Sequence, residues 1–230
     1  PALNQRRLWW PRGKVLGGSS SINAMCYVRG VRGDYDRWAQ AGATGWDWDS
    51  VLPWFRRSEG NRRGADALHG ADGPLQVADL RHVNPLSHAF LQAGQQAGHA
   101  LNEDFNGPDQ LGVGLYQVTQ KDGARCSSAA AYLTPVRQRP NLQVLTGAQV
   151  ERVQIDDARA TGVVLRVGGQ RRHLRARGEV LLSAGAINSP QLLMLSGIGP
   201  ADHLRGHGID VHLDQPGVGA NLQDHLDICT

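Results

Sequence analysis

Two groups of residues in this chain could do chemistry by type and spacing. The first is Gly17-Gly18-Ser19-Ser20-Ser21, inside the run PRGKVLGGSSSINAM at 11–25. A glycine pair lets the backbone pass through φ > 0 and lets a ligand approach the main chain with no Cβ in the way. Ser20 or Ser21 could cap a helix behind it, leaving first-turn N–H groups aimed at a phosphate or carboxylate. The same residues would serve as well in a plain turn that only caps a helix. The second group is His203 and His207, at i and i+4, with His212 beyond. Two imidazoles on one helix face suit a metal. Gly206 and Gly208 weaken a helix there, and no carboxylate completes a set, so a solvated short helix is the preferred reading. Asp224-His225, near the end of the chain, has no spacing that assigns it a role.

The bulk of the chain bounds what could position such groups. Its 230 residues are enough for one domain or two small ones, and 40% hydrophobic with 20% charged residues reads as soluble and globular. Twenty-nine glycines promise many loops and close backbone contacts. The net charge of +3 comes from scattered pairs (Arg6-Arg7, Arg56-Arg57, Arg62-Arg63, Arg171-Arg172). A nucleic-acid binder would more often gather them into one face, so no nucleic-acid partner is expected. No apolar run is long enough for a membrane span. The three cysteines, Cys26, Cys126 and Cys229, form no CxxC and imply no disulfide framework. That fits a reducing compartment, and the expected location is cytoplasmic, with peripheral association at the inner membrane as the alternative. The chain starts at Pro1 rather than Met, and its first residues read as mid-domain, so an internal fragment is expected.

Residues 22–28 are apolar enough for a buried helix. A short helix is expected over 34–41 with Asp34 near its N-cap, and another over 50–58 packing through Leu52, Trp54 and Phe55. Trp46, Trp48 and Trp54 could cage a cation, but core packing fits their spacing better. Arg32-Gly33-Asp34 is read as chance. A loop runs over 60–73, with a strand at 75–78. Asn84-Pro85 opens a helix to about Ala97 with Phe90, Leu91 and Ala97 inward. A strand is expected at 115–120, a turn at Asp122-Gly123, and a helix over 129–138 capped by Ser127 or Ser128. Strand-like runs follow at 142–146, 150–155, 161–167 and 171–176, a meander of antiparallel strands with Asp156-Asp157 and Gly168-Gly169 as turns. Residues 179–183 (EVLLS) read as a buried strand leading through Ala184-Gly185-Ala186 into a helix capped by Asn188 or Ser189, with Pro190 at its first position and Gly197 past its end.

The sequence has no GxSxG, no GxxxxGK[ST], no HExxH and no GxGxxG behind a first strand. The residues do resemble a known family. Residues 12–23 (RGKVLGGSSSIN) are similar to the first signature of the glucose–methanol–choline (GMC) flavin oxidoreductases, and 185–199 (GAINSPQLLMLSGIG) to the second. A third stretch, 216–226 (PGVGANLQDHL), is also common in the family. Residues 23–30 (NAMCYVRG) and 34–38 place the resemblance nearest the choline dehydrogenase and alcohol dehydrogenase branch.

The resemblance implies an α/β (mixed α+β) chain, an FAD-binding Rossmann-like domain with a β-meander plus part of an inserted substrate domain. The implied division is 1–83 for the FAD domain, 84–122 for the substrate segment and 123–230 for the return. By the same resemblance Val15, Gly17, Gly18, Ser19 and Ser20 line the flavin and its pyrophosphate, Asn23, Ala24 and Met25 meet the flavin ring, and Val150 meets the adenine through its main chain. Some members attach FAD through a His that matches Ile22 here, so noncovalent FAD is expected. The substrate implied is a small primary alcohol, choline or aliphatic, with an electron acceptor the residues do not specify. The family's catalytic His is expected C-terminal to this chain, so no catalytic residue is named and the chain alone is expected to be inactive and to hold little flavin. An oxidase or hydroxynitrile lyase on the same scaffold, or a noncatalytic nucleotide-binding module, are the competing readings.

Overall fold

The computed structural model describes residues 2–224, with the side chains of Ala2 and Leu3 left aside. The third resembling stretch beyond Asp224, His225 of the Asp-His pair and Cys229 therefore lie outside the described residues. The chain forms two compact units, Pro1–Leu142 and Gln143–Thr230. Helices and strands are mixed in the first and alternate with a meander in the second, as the α/β class requires.

In the first unit, α1 (Arg32–Gln40) and α2 (Trp48–Ser58) pack around Tyr35, Trp48 and Val51, with Leu52, Phe55 and Leu68 against them. Tyr35 holds this cluster by ring contacts to Trp38 at 5.3 Å, Trp48 at 5.6 Å and Phe55 at 5.6 Å. Asp34 is the third residue of α1 rather than its cap. Its carboxylate accepts the Val31 N–H at 2.8 Å, satisfying a first-turn donor. Asp47 caps α2, accepting from the Ser50 N–H at 3.0 Å. Trp54 is exposed, not inward, and Arg57 lies over its ring at 5.5 Å. β1 (Glu59–Asn61), inside the expected loop, pairs in parallel with β2 (Leu75–Val77). Asn84 caps α3 (Pro85–Gln96) through the Leu86 N–H at 2.9 Å, but Phe90 and Ala97 face solvent.

The expected helix over 22–28 does not form. Ile22 and Asn23 finish the preceding turn, their N–H groups on the Ser19 carbonyl, and the chain then pairs across to 117–119: the Tyr27 N–H reaches the Gln117 carbonyl and Cys26 bridges Val118. Met25, at φ +66°, is itself incompatible with a right-handed helix. The expected strand at 115–120 is correspondingly irregular, with Val118 bridging both Cys26 and Ala78, and regular pairing only in the hairpin of β3 (Gln120–Lys121) and β4 (Ala124–Arg125). Asp122 and Gly123 turn that hairpin, both at positive φ. The expected helix over 129–138 is a π-turn, Ala129–Leu133, followed by a 3₁₀ turn, Thr134–Val136.

In the second unit β5 (Ala148–Asp156), β6 (Arg159–Val167) and β7 (Gln170–Arg175) form the antiparallel meander in the order β5-β6-β7. Asp157-Ala158 and Gly168-Gly169, all at positive φ, make its turns. Residues 142–146 form no strand, so the meander starts later than expected. Val153, Val164 and Leu165 are its buried residues, with Val164 and Leu165 on opposite faces, each worth about 1.5–3 kcal/mol by full burial of an apolar side chain. The expected strand at 179–183 is also absent. No described strand lies beside it to complete a ladder, and Leu181 is 82% exposed. α4 (Gly185–Leu195) starts earlier than expected, so Pro190 sits inside it, while the Ser189 hydroxyl accepts the Ala184 N–H at 3.0 Å. Ser196 ties its end to β5, accepting the Val153 N–H at 2.8 Å and donating to Leu192 at 2.6 Å. β8 (Ile198–Gly199) pairs in parallel with β9 (Leu213–Asp214), and the short α5 (Ala201–Gly206) lies between them in sequence. His203 on α5 and His207 just past its end meet edge to face, exposed, with ring centres 4.7 Å apart. No group of metal-ligating side chains occurs among the described residues.

Candidate cofactor-binding site

The glycine–serine run folds back on itself. The Gly13 N–H donates to the Ser19 hydroxyl at 3.3 Å, and a Cβ on Gly13 would lie 2.1 Å from the Gly18 carbonyl oxygen. The Gly18 N–H closes the turn on the Val15 carbonyl at 2.9 Å, with Gly17 at φ +91° and Gly18 at φ +56°. The close approach requires glycine at 13, and the left-handed backbone favours it at 17 and 18. A 3₁₀ turn, Gly18–Ser21, follows with Gly17 as its N-cap, so neither Ser20 nor Ser21 is the cap. Their hydroxyls bond backward instead, Ser20 to the Gly17 carbonyl at 2.5 Å and Ser21 to the Leu16 carbonyl at 2.8 Å. That leaves the outer face of Gly18 open: a Cβ there would meet nothing within 4 Å.

The chain then passes Asn23 and Ala24, both exposed, to Met25. The Asn23 Oδ1 accepts the Met25 N–H at 3.1 Å, and the Met25 carbonyl accepts the Thr119 N–H at 2.9 Å. A second segment clamps this loop. Arg125 Nη1 donates to the Ser20 carbonyl at 3.2 Å and to Asn23 Oδ1 at 2.8 Å. The Ser128 N–H reaches the Ser20 hydroxyl at 2.9 Å, and its own hydroxyl reaches the Gly17 carbonyl at 3.1 Å.

Beneath residues 27–29 lies a buried polar network. Glu59, fully buried, accepts from Arg29 Nη2 at 2.5 Å, Asn61 Nδ2 at 3.0 Å and the Gly70 N–H at 3.0 Å. His69 places Nδ1 3.0 Å from Glu59 Oε1 and Nε2 2.9 Å from Asp104 Oδ2. Both ring nitrogens thus face carboxylates, an arrangement that favours the doubly protonated ring, which alone can donate to both. Burial by itself pulls its pKa down; the hydrogen bonds and charges of Glu59 and then Asp104 outweigh that and hold it above the ordinary histidine value. Asn106 completes the tie, accepting the Arg29 N–H at 2.7 Å and donating to the Tyr27 carbonyl at 2.8 Å.

The sequence profile of the GMC oxidoreductases matches residues 1–227. The chain belongs to the GMC oxidoreductase family. It is 52% identical over 227 residues to an oxygen-dependent choline dehydrogenase of Sinorhizobium fredii (strain NBRC 101917 / NGR234), covering 99% of this chain and 41% of that protein. It is equally 52% identical over 229 residues to an alcohol dehydrogenase [acceptor] of Pseudomonas putida, covering 98% of this chain and 42% of that one. An FAD-dependent oxidoreductase from Chaetomium thermophilum superposes with a TM-score of 0.87 at 30% identity, over 94% of this chain and 40% of that chain. The chain thus spans about two fifths of the length of these relatives.

In this GMC chain, Val15, Gly17, Gly18, Ser19, Ser20, Asn23, Ala24 and Met25 come together as one surface loop of the first unit. Val150 stands in β5 of the second unit, opposite Leu165 of β6. Sequence reasoning missed Arg125 and Ser128, which approach the loop from more than a hundred residues away. It also missed the network: Arg29, Glu59, His69 and Asp104 share no motif, and His69 read only as a turn residue. A cue was present in Glu59-Gly60-Asn61 following α2, polar residues at the mouth of a strand, but nothing local says that they are buried.

Proposed function

We propose that this chain forms part of an FAD-dependent alcohol oxidoreductase that takes hydride from a primary alcohol, choline or an aliphatic alcohol. The observation that carries the reading is the family match from residue 1 to 227, in which the resembling first signature folds into a glycine turn of ligand-binding shape. The turn fits an anionic cofactor: Gly13 and Gly18 are packed so closely that a Cβ on Gly13 is excluded, while the open outer face of Gly18 lets a pyrophosphate approach main chain. Val15, Gly17, Gly18, Ser19 and Ser20 hold that group. Asn23, Ala24 and Met25 border the flavin ring, and the Val150 main chain meets the adenine. Ile22 offers no nucleophile, so the FAD is held without a covalent bond. Once bound, the flavin supplies the hydride acceptor; the residues of this chain hold and orient it. Residues 84–122 belong to the substrate-binding part and the rest to the FAD-binding part. Among the described residues no helix is long and apolar enough to cross a membrane, and the free thiols of Cys26 and Cys126 suit a cytoplasmic setting.

The test uses the protein produced from its complete reading frame. Denaturation should release about one FAD per chain into the supernatant, and anaerobic addition of choline or a short aliphatic alcohol should bleach the flavin. Rapid peroxide formation in air would assign an oxidase instead, and a colourless protein would overturn the flavin reading.

A further inference from the structure

The outer half of the Asn23 side chain is left free while its inner half is fully engaged. Asn23 Oδ1 accepts two hydrogen bonds, from the Met25 N–H at 3.1 Å and from Arg125 Nη1 at 2.8 Å. An amide oxygen has two lone pairs, so it is saturated. The two donors also fix which way the amide faces, because nitrogen in that place would meet two N–H groups head on. The Asn23 Nδ2 group has no partner among the described residues, and the residue is exposed. Arg125 itself is half-buried, and no carboxylate pairs with it among the described residues. Its hydrogen bonds go to the Ser20 carbonyl and to Asn23. A guanidinium placed between two neutral oxygens of one loop sets that loop's geometry and polarity, with no ion pair to account for its position.

We propose that Arg125 is a positioning residue that locks the Asn23 amide with its NH₂ group outward, as a fixed donor to an electron-rich edge atom of the bound flavin ring. This rests on the flavin reading above. A fixed neutral donor beside an acceptor that becomes more negative on reduction bonds the reduced form more strongly than the oxidised form. Locking Asn23 therefore raises the midpoint potential, an effect of Arg125 that passes through Asn23, while its bond to the Ser20 carbonyl holds the loop and bears on affinity.

The test compares the wild type with R125Q, R125K, N23A and the double variant N23A/R125Q, each produced from the complete reading frame, by FAD titration and by midpoint potential. R125Q should bind FAD about tenfold more weakly, the loss of one net hydrogen bond, and its potential should fall. R125K, whose ammonium can still reach Oδ1, should keep the wild-type potential. N23A should lower affinity and potential, and adding R125Q to it should leave the potential where N23A put it. An R125Q protein with wild-type potential, or a further fall in potential when R125Q is added to N23A, would overturn the proposal. If R125Q does not accumulate, R125K and N23A carry the same decision: a lowered potential in R125K or an unchanged one in N23A overturns it. A wild type that binds no FAD is a different result, because it removes the flavin reading and this proposal together.

Discussion

Replacing Glu59 by Ala should open the first unit locally by a large, measurable amount. Glu59 is fully buried and accepts from Arg29, His69, Asn61 and the Gly70 N–H. Removing it leaves the buried Arg29 guanidinium with only neutral acceptors, the Leu68 carbonyl and the Tyr27 hydroxyl, and leaves His69 with Asp104 alone. Breaking a buried ion pair by deleting one partner costs about 3–5 kcal/mol. At about 1.4 kcal/mol per tenfold, this is roughly two to three and a half orders of magnitude in a local opening equilibrium. Native-state hydrogen exchange reads that equilibrium directly without requiring the whole protein to unfold in one step. The reporting amides are Asn61, bonded to the Gly70 carbonyl, and Arg62, bonded to the Val77 carbonyl, each at 2.9 Å. Both should exchange at least a hundredfold faster in E59A, while amides of the β5–β6 hairpin should be unchanged. In R29M/E59L, where an apolar pair replaces the charges, exchange should be slower than in E59A. An acceleration below tenfold in E59A would refute the view that this network holds the segment under residues 27–29.

Two further outcomes follow from the same geometry. Because the folded pKa of His69 is raised, its contribution is fully present below the unfolded value of about 6.5 and is lost as pH rises through the folded value. The thermal midpoint should therefore decline on the alkaline side, with Glu59 and Asp104 facing a ring that no longer carries both protons. H69Q should flatten that decline; an identical pH profile in H69Q would exclude the imidazolium. Asn84→Ala removes the α3 cap and should lower stability by about 1 kcal/mol, read as faster exchange of the Leu86 and Ser87 amides with no effect on β1 or β2.

What was legible in the sequence was local. Asp122-Gly123 and Gly168-Gly169 marked their turns because positive φ at two adjacent positions has few sequence solutions. Asn84 marked a helix start because a short polar side chain beside Pro85 suits that position. The elements that failed depend on distant partners. Residues 22–28 are apolar enough for a helix, but the left-handed Met25 breaks it, and the Gln117 carbonyl and the Thr119 N–H take up the Tyr27 N–H and the Met25 carbonyl instead. Residues 179–183 have the composition of a buried strand, and a strand exists only where another lies beside it. The candidate loop at 13–25 was found through its glycines and its family resemblance. Its clamp at Arg125 and Ser128 was not, because a hydrogen bond across a hundred residues leaves no periodic trace. The buried charges of Arg29, Glu59, His69 and Asp104 were hidden for the same reason, since each one read alone is an ordinary surface residue.

The glycine loop as the seat of FAD is tested most directly at Gly18. A methyl there meets no atom of the protein within 4 Å, so Gly18→Ala carries only the left-handed backbone penalty of about 1 kcal/mol. The same methyl would stand on the face that the cofactor approaches. Titration of FAD into the wild type and Gly18→Ala, both from the complete reading frame, should show affinity falling by more than tenfold in the variant while its thermal midpoint changes little. Equal FAD affinity in the two proteins would contradict the placement of the cofactor on this loop.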